Sequence, residues 1–104
     1  MATPEGRVKA KVTAALKQLP ACYRFMPVQM GMGASTLDYL CCIAGQFVAV
    51  ETKAPGRQLT PRQAIVADEI RKAGGLVFVV DGEISLHNMI AHLQQHIGEQ
   101  NNGV

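Results

Sequence analysis

Hydrophobic and polar positions along this chain form blocks that predict seven elements in the order α-β-β-β-α-β-α. In the first block, Thr3 and Pro4 supply a capping residue and a proline at the first helical position, and Pro20 ends the run. Between them, apolar residues recur at helical spacing, at Val8, Val12, Ala15, Leu16 and Leu19. Residues 22–28 are predicted to form a short strand, and residues 30–35 are expected to be a mobile connection.

Two apolar runs on either side of Ala44-Gly45 predict a β-hairpin. If Ile43 pairs with Gln46 across a two-residue loop, Asp38 lies directly opposite Glu51, and both side chains point to the same face of the sheet. A three-residue loop would instead place Asp38 opposite Thr52, because the side chains of a strand alternate between its faces. The sequence leaves these two registers open.

The next segment is predicted to form a turn and then a helix. Residues 54–57 have the composition of a turn. Thr60 and Gln63 have the spacing of a capping box, which opens a helix running to about residue 73. Gly74-Gly75 ends this helix.

The last two elements are a strand and an amphipathic helix. Residues 76–80 form a continuous apolar run typical of a strand buried on both faces, and Ser85 is expected to cap the helix that follows. The apolar face of that helix contains Leu86, Met89, Ile90, Leu93 and Ile97. The expected fold class is therefore α/β, a mixed central sheet flanked by helices. One domain is predicted over residues 1–97, with a polar tail over residues 98–104.

With the two-residue loop, one face of the predicted hairpin contains Asp38, Glu51 and Lys53. This set suggests a metal-dependent site that cleaves phosphodiester bonds. Two facing carboxylates provide the hard oxygen ligands that Mg²⁺ or Mn²⁺ prefers. A lysine beside them positions a water or offsets the charge that develops on a phosphate. The alternative is an exposed hairpin face that happens to contain two acids and a base. The strongly apolar flanking strands favour the site, because a buried lone carboxylate is costly without a partner.

Composition and charge limit the remaining possibilities. A chain of 104 residues with 48% hydrophobic positions suits one domain with a modest core. No apolar stretch is long enough to span a membrane, and no signal-peptide pattern opens the chain, so we expect a cytoplasmic protein. The net charge of +2 does not decide for or against nucleic acid.

The distribution of cations is more informative than their sum. The first predicted helix contains Arg7, Lys9 and Lys11, and Arg57 and Arg62 bracket the loop after the Glu51 strand. Cations around a carboxylate centre are expected where a polyanion approaches it, so these five are candidate DNA-binding residues. A solvated helix face accounts equally well for those on the first helix.

Cysteine and histidine positions point to structure rather than to a site. Cys22, Cys41 and Cys42 follow no metal or disulfide spacing, and the adjacent pair must point to opposite faces of a strand. His92 and His96 have the helical spacing of a metal pair, but lie beside the apolar stripe of the last helix, so a half-exposed flank is the preferred interpretation.

The order of these motifs resembles a known nuclease family. An aspartate is followed by Glu-x-Lys at the end of the next strand, a turn, a helix that opens with glutamine, Gly-Gly and an apolar strand. This order is similar to that of the PD-(D/E)xK restriction-endonuclease-like superfamily. Within that superfamily, the chain more closely resembles the virus-type replication-repair nuclease domain, VRR-NUC. This domain has small stand-alone members in phages and bacteria. The resemblance runs from the first helix to about residue 82. Its most specific segments are residues 50–56, 59–63 and 75–80.

The resemblance assigns roles to individual residues. It implies that Asp38 and Glu51 are metal ligands and that the Thr52 backbone carbonyl helps to coordinate the ion. Lys53 would be the catalytic lysine, and Gln63 would border the site, besides its role as the capping-box partner of Thr60.

Two positions depart from the family pattern. Leu37 stands where the family usually has proline before the aspartate. Related nucleases place a glutamate on the first helix near the metal, and Glu5 is the only acid there. Glu5 is equally explained as a first-turn acid favoured by the helix dipole.

The function expected from this sequence is a DNA endonuclease that depends on Mg²⁺ or Mn²⁺. The resemblance further implies a homodimer that acts on branched DNA such as four-way (Holliday) junctions. The last helix and residues 76–80 are the candidates for its interface. Two other functions remain open: a catalytically inactive nucleic-acid-binding module on the same fold, and an interaction protein with a coincidental motif.

Overall fold

A four-stranded mixed sheet with helices on both faces organises the chain. The computed structural model describes residues 2–28 and 35–102. Its elements are α1 (Pro4–Gln18), β1 (Cys22–Phe25), β2 (Tyr39–Ile43), β3 (Gln46–Thr52), α2 (Pro61–Lys72), β4 (Leu76–Val80) and α3 (Glu83–Asn102). The strands lie in the order β1-β2-β3-β4, antiparallel except for the parallel pair β3–β4. The predicted element order and the α/β class with a mixed sheet are confirmed.

A two-residue turn fixes the register of the β2–β3 hairpin. Ile43 pairs with Gln46 and Tyr39 pairs with Val50, so the next position of this register sets Asp38 opposite Glu51. The loop residues Ala44 and Gly45 both have positive φ, 47° and 82°, as the tight hairpin turn that matches strand twist requires. Of the two registers that the sequence left open, the structure has the one that brings the two acids together.

The two faces of the sheet bury separate clusters. α1 and α3 cover one face, where Val12, Leu16, Met89 and Leu93 pack against alternate residues of the strands. α2 covers part of the other face, where Ala67 packs with Leu37 and Ala49. The Glu51 side chain bonds Gln63 of α2, so Glu51 lies on the α2 face.

Capping bonds define the starts of the first two helices. Thr3 Oγ1 accepts a hydrogen bond from the Gly6 N–H at 2.9 Å. Thr60 and Gln63 form a complete capping box, with the Thr60 N–H donating to Gln63 Oε1 and the Gln63 N–H donating to Thr60 Oγ1. Both predicted caps are confirmed.

The prediction for β4 was wrong in one respect. The strand forms where the apolar run predicts it, but only Val80 is buried and the other residues, 76–79, are half-buried. Because β4 is the last strand of the sheet, it has a neighbour on one side only. Continuous apolarity therefore marks a parallel edge strand here, and not a strand enclosed on all sides.

The last helix also differs from the prediction at both ends. It begins at Glu83, two residues before Ser85. The Ser85 hydroxyl accepts from the Asp81 N–H and donates to Asp81 Oδ1, so it ties the helix start to the loop from inside the first turn. The helix continues through Gly98 to Asn102, which makes most of the expected polar tail helical.

The segment after β1 is only partly described. β1 ends at Phe25, three residues before the predicted boundary at residue 28. The connection expected over residues 30–35 lies outside the described residues except for Ser35. Within residues 2–28 and 35–102, no helix is long and apolar enough to cross a membrane.

Candidate active site

Asp38 and Glu51 interlock at the end of the β2–β3 hairpin. The Asp38 N–H donates to Glu51 Oε1 at 3.0 Å. Asp38 Oδ2 in turn accepts from the Thr52 N–H at 3.0 Å and from the Thr52 hydroxyl at 2.6 Å. These bonds hold both carboxylates in fixed positions before any ligand binds. The Thr52 hydroxyl is a contact that sequence reasoning missed, because it considered only the Thr52 carbonyl.

Glu51 is the most strongly perturbed acid of the site. Only 4% of the residue is exposed, although it is ionisable. Burial and, after it, the neighbouring Asp38 raise the pKa of Glu51 to about 7, although the Asp38 N–H and Lys53 act to lower it. An ionised carboxylate that is poorly solvated and close to a second acid is stabilised when a cation binds beside it.

Lys53 follows Glu51 on the same face, as predicted. Its Nζ lies 3.7 Å from Glu51 Oε2, and its side chain is mostly buried. The Lys53 backbone N–H donates to the Val80 carbonyl at 2.9 Å, which extends the β3–β4 pairing by one step. The lysine is therefore held by the sheet with its ammonium group beside the acids.

Gln63 has both of the roles that the sequence suggested. While Oε1 accepts from the Thr60 N–H in the capping box, Nε2 donates to Glu51 Oε2 at 2.8 Å. One amide side chain thus fixes the start of α2 and connects that helix to the buried acid. The capping interpretation is confirmed, and the bond to Glu51 places Gln63 beside the acid.

Lys9 lies closer to the acids than sequence reasoning placed it. Its Nζ is 3.6 Å from Asp38 Oδ1. The Tyr39 hydroxyl holds α1 at this position, because it donates to the Lys9 carbonyl at 3.0 Å and lies 2.7 Å from Thr13 Oγ1. A tyrosine next to the aspartate in an otherwise apolar strand was the available signal, since its hydroxyl needs a polar partner when buried.

Glu5 is not brought in as a third metal ligand. Among the described residues, no group of three or more His, Cys, Asp or Glu side chains is placed to hold a metal ion. Glu5 is exposed in the first turn of α1, and its charge contributes to raising the pKa of Glu51. This position agrees with the helix-dipole interpretation.

The candidate DNA-binding cations divide into three groups. Arg7 and Lys11 line a cavity of about 340 Å³ between α1 and the start of α3, where Lys11 forms an ion pair with Glu83. Lys9 points to the acids instead. Arg57 and Arg62 are exposed, and neither forms an ion pair within the part of the chain that the structure describes.

The cysteines and histidines stay outside the site. Cys41 is buried and Cys42 exposed, which confirms that they point to opposite faces, and all three cysteines are free thiols. Burial raises the pKa of Cys41 to about 12 and that of Cys22 in the same direction, so their thiolates are disfavoured. His92 is exposed and meets Phe78 edge to face at 5.5 Å, as a residue on a helix flank does.

Neither the known protein families nor the curated proteins compared with this chain give a match.

Proposed function

We propose that this protein is a Mg²⁺- or Mn²⁺-dependent nuclease that hydrolyses phosphodiester bonds in DNA. The observation that supports this most is Glu51, a buried carboxylate opposite Asp38 with the Lys53 ammonium group 3.7 Å away. Two acids and a lysine in this arrangement combine the ligands for a hard cation with a positive group for the reacting phosphate.

The donor set fits such an ion. Asp38 and Glu51 would hold it through carboxylate oxygens, with the Thr52 carbonyl as a further proposed ligand. Because only two acids converge among the described residues, the remaining positions would fall to water and substrate phosphate, as is usual for Mg²⁺. When bound, the ion lowers the pKa of a coordinated water and offsets charge on the phosphate.

The neighbouring side chains orient the reacting groups and balance the charges of the acids. Lys53 is placed to donate a hydrogen bond to the attacking water or to a phosphate oxygen, which stabilises the negative charge that develops there. Gln63 holds Glu51 Oε2 by a 2.8 Å bond and so fixes the carboxylate in one orientation. Lys9 balances the charge of Asp38 until a cation binds.

The resemblance to the VRR-NUC domain supports a more specific proposal for the fold, the assembly and the substrate. A PD-(D/E)xK core of the VRR-NUC type agrees with the element order, the position of Glu51-Thr52-Lys53 at the end of β3 and Gln63 at the start of α2. On the same ground we propose a homodimer that acts on branched DNA such as four-way junctions. Symmetric cleavage of a junction needs two sites related by a two-fold axis. As an edge strand, β4 is an available surface for a second copy, as is α3.

A cleavage assay tests the proposal directly. Single-stranded, duplex, flap and four-way DNA substrates are incubated with the protein, with and without Mg²⁺ or Mn²⁺. We expect cleavage only with metal, and loss of cleavage in Glu51→Gln, Asp38→Asn and Lys53→Ala. Asp68→Asn changes an exposed acid of α2 that pairs with Lys72, and it provides a matched control that should stay active.

Metal binding separates the proposal from its alternatives. Isothermal titration should show a divalent ion bound by the unaltered chain and by Lys53→Ala, but more weakly by Glu51→Gln. DNA binding without cleavage under any metal would favour the inactive binding module. Binding of neither metal nor DNA would leave the interaction protein.

A further inference from the structure

Half of the sheet face that contains Glu51 has no helix over it in the described part of the chain. α2 lies on the β4 side of this face, and its buried residue Ala67 reaches Ala49 of β3. α1 and α3 pack on the opposite face. β1 and the Cys42 end of β2 therefore present this face to solvent, while Leu40 of β2 is half-buried against the cluster under α2.

Aromatic side chains occupy the uncovered area. Tyr23 is 69% exposed, Phe25 is 52% exposed and Phe47 is 45% exposed. The chain has only two tyrosines and three phenylalanines, so most of its aromatic residues lie on this face instead of in the core. Large exposed apolar patches of this kind usually mark a surface for binding.

The strand register arranges these residues in rows that lead to the acids. Tyr23 lies opposite Cys42, which lies opposite Phe47, and this forms the outer row. In the next row, Phe25 lies opposite Leu40 and Leu40 opposite Ala49. Asp38, just before the start of β2, is two residues from Leu40, and Glu51 of β3 is two residues from Ala49. Rows on one face are about 7 Å apart, because alternate residues of a strand share a face.

We propose that this surface, defined by Tyr23, Phe25 and Phe47, stacks the unpaired bases of a single-stranded stretch of nucleic acid beside the acidic pair. This inference rests on the proposed nuclease function and specifies its substrate. Aromatic rings on an open sheet bind single strands because every base has a π-face, which makes the contact tolerant of sequence. The rows are continuous with the acids, so a strand stacked here is led to them.

Charge on the surrounding surface fits this occupant. The two rows themselves contain no charged residue, and Glu69 of α2, which lines a groove with Leu40 and Phe47, is an acid at their border. On the α2 side of the same face, Arg62 lines a groove with Ser35 and Ile65, within which Glu69 is the only acid. Phosphates of a strand whose bases lie on the rings would then meet a cation at the border of the surface.

Oligonucleotide binding without metal tests the surface separately from cleavage. Fluorescence anisotropy in EDTA measures the affinity for a labelled single strand and for the same strand with abasic positions, which keep the phosphates but remove the bases. We expect the unaltered protein to lose affinity on the abasic strand. Tyr23→Ala and Phe25→Ala should each bind the normal strand about tenfold more weakly, the usual effect of one lost stacking contact.

Matched variants separate stacking from general effects. Ile84→Ala removes a side chain that is 81% exposed at the start of α3, away from this face, and should leave affinity unchanged. Tyr23→Phe keeps a ring and should bind as the unaltered protein does. Because Tyr23 and Phe25 are so exposed, circular dichroism should show both alanine variants folded.

Three results would overturn the proposal. The first is equal binding of normal and abasic strands, and the second is undiminished affinity in Tyr23→Ala and Phe25→Ala. The third is a change from dimer to monomer in the alanine variants by sedimentation, with unchanged affinity per subunit, which would assign this face to a second copy of the chain. Failure of the nuclease proposal looks different, because inactive protein, like Glu51→Gln, would still distinguish normal from abasic strands in EDTA.

Discussion

Among single residues, Glu51 combines burial with several charged neighbours. Asp38 lies opposite it in the hairpin register, and Lys53 Nζ is 3.7 Å from its Oε2. The acid is more costly to ionise in the folded chain than in the unfolded one, as its pKa of about 7 against an ordinary 4.5 expresses. The free energy of unfolding of the metal-free protein must therefore depend on pH.

Glu51 predicts the direction of that dependence. A raised pKa means that the folded state holds the proton more tightly, so the contribution to stability is present below pH 4.5 and is lost as pH rises through about 7. Urea unfolding in EDTA should show a loss of about 3 kcal/mol over this range in the unaltered protein relative to Glu51→Gln. Parallel stability curves for the two proteins would contradict this assignment.

Lys9 predicts a competition between a side chain and the ion. Its ammonium group is 3.6 Å from Asp38 Oδ1, where it balances a charge that the proposed metal would also balance. Lys9→Met should therefore bind Mn²⁺ several-fold more tightly, an effect limited to about 1 kcal/mol because the pair is partly exposed. Calorimetric titration measures it, with Lys17→Met on the exposed end of α1 as control. Equal affinities in Lys9→Met and the unaltered protein would exclude competition.

At the scale of elements, α2 and the β2–β3 hairpin are joined through one amide group. Gln63 closes the capping box at the start of α2 and donates to Glu51 at the end of β3. Thr60 takes part only in the cap. Substitutions of Thr60 and Gln63 can therefore distinguish the stability of α2 from the orientation of the Glu51 carboxylate.

Substitutions at these two positions should have different consequences. Thr60→Ala removes the cap and should cost about 1 kcal/mol of unfolding free energy, with metal affinity unchanged. Gln63→Ala should cost a similar amount and also weaken metal binding and cleavage, because Glu51 loses a fixed partner. Chemical unfolding and metal titration of both variants provide the comparison. If Thr60→Ala lost metal affinity as strongly as Gln63→Ala, the capped start of α2, and not the Gln63–Glu51 bond, would determine metal binding.

At the scale of the whole molecule, cations surround an acidic centre on several sides. Arg57 and Arg62 lie in the loop after Lys53 and at the start of α2, both exposed. Arg7 and Lys11 lie across a cavity next to the start of α3. Arg62 directly precedes Gln63, and Arg57 lies in the loop between Lys53 and α2, so we assign the first pair the phosphates nearest to the cleaved bond.

Salt dependence of DNA binding tests that assignment. Changing both Arg57 and Arg62 to Ala should weaken binding similarly across sequences and reduce the slope of log affinity against log salt by about two, roughly one for each lost phosphate contact. Arg71→Ala, at the exposed far end of α2, is the matched control. An unchanged slope in the double variant would move the DNA-binding surface to Arg7 and Lys11.

The sequence by itself determined the elements and most of the acidic site. Helical spacing, the Thr3 and Thr60 caps and the apolar runs are local properties, so the order of elements followed from them. The pairing of Asp38 with Glu51 needed one further fact, the length of the turn at Ala44-Gly45. A two-residue and a three-residue turn were both compatible with the residues, so the sequence alone did not decide the register.

Only the tertiary structure decided which surfaces are covered. The apolar run of β4 does not reveal that the strand stands at the edge, and Tyr23 and Phe25 do not reveal that α2 leaves them exposed. Nor does the spacing along α1 show that Lys9 turns to Asp38 while Arg7 and Lys11 face α3. The physical reason is that coverage and ion pairing depend on elements distant in sequence, whose relative positions are set by packing and not by local pattern.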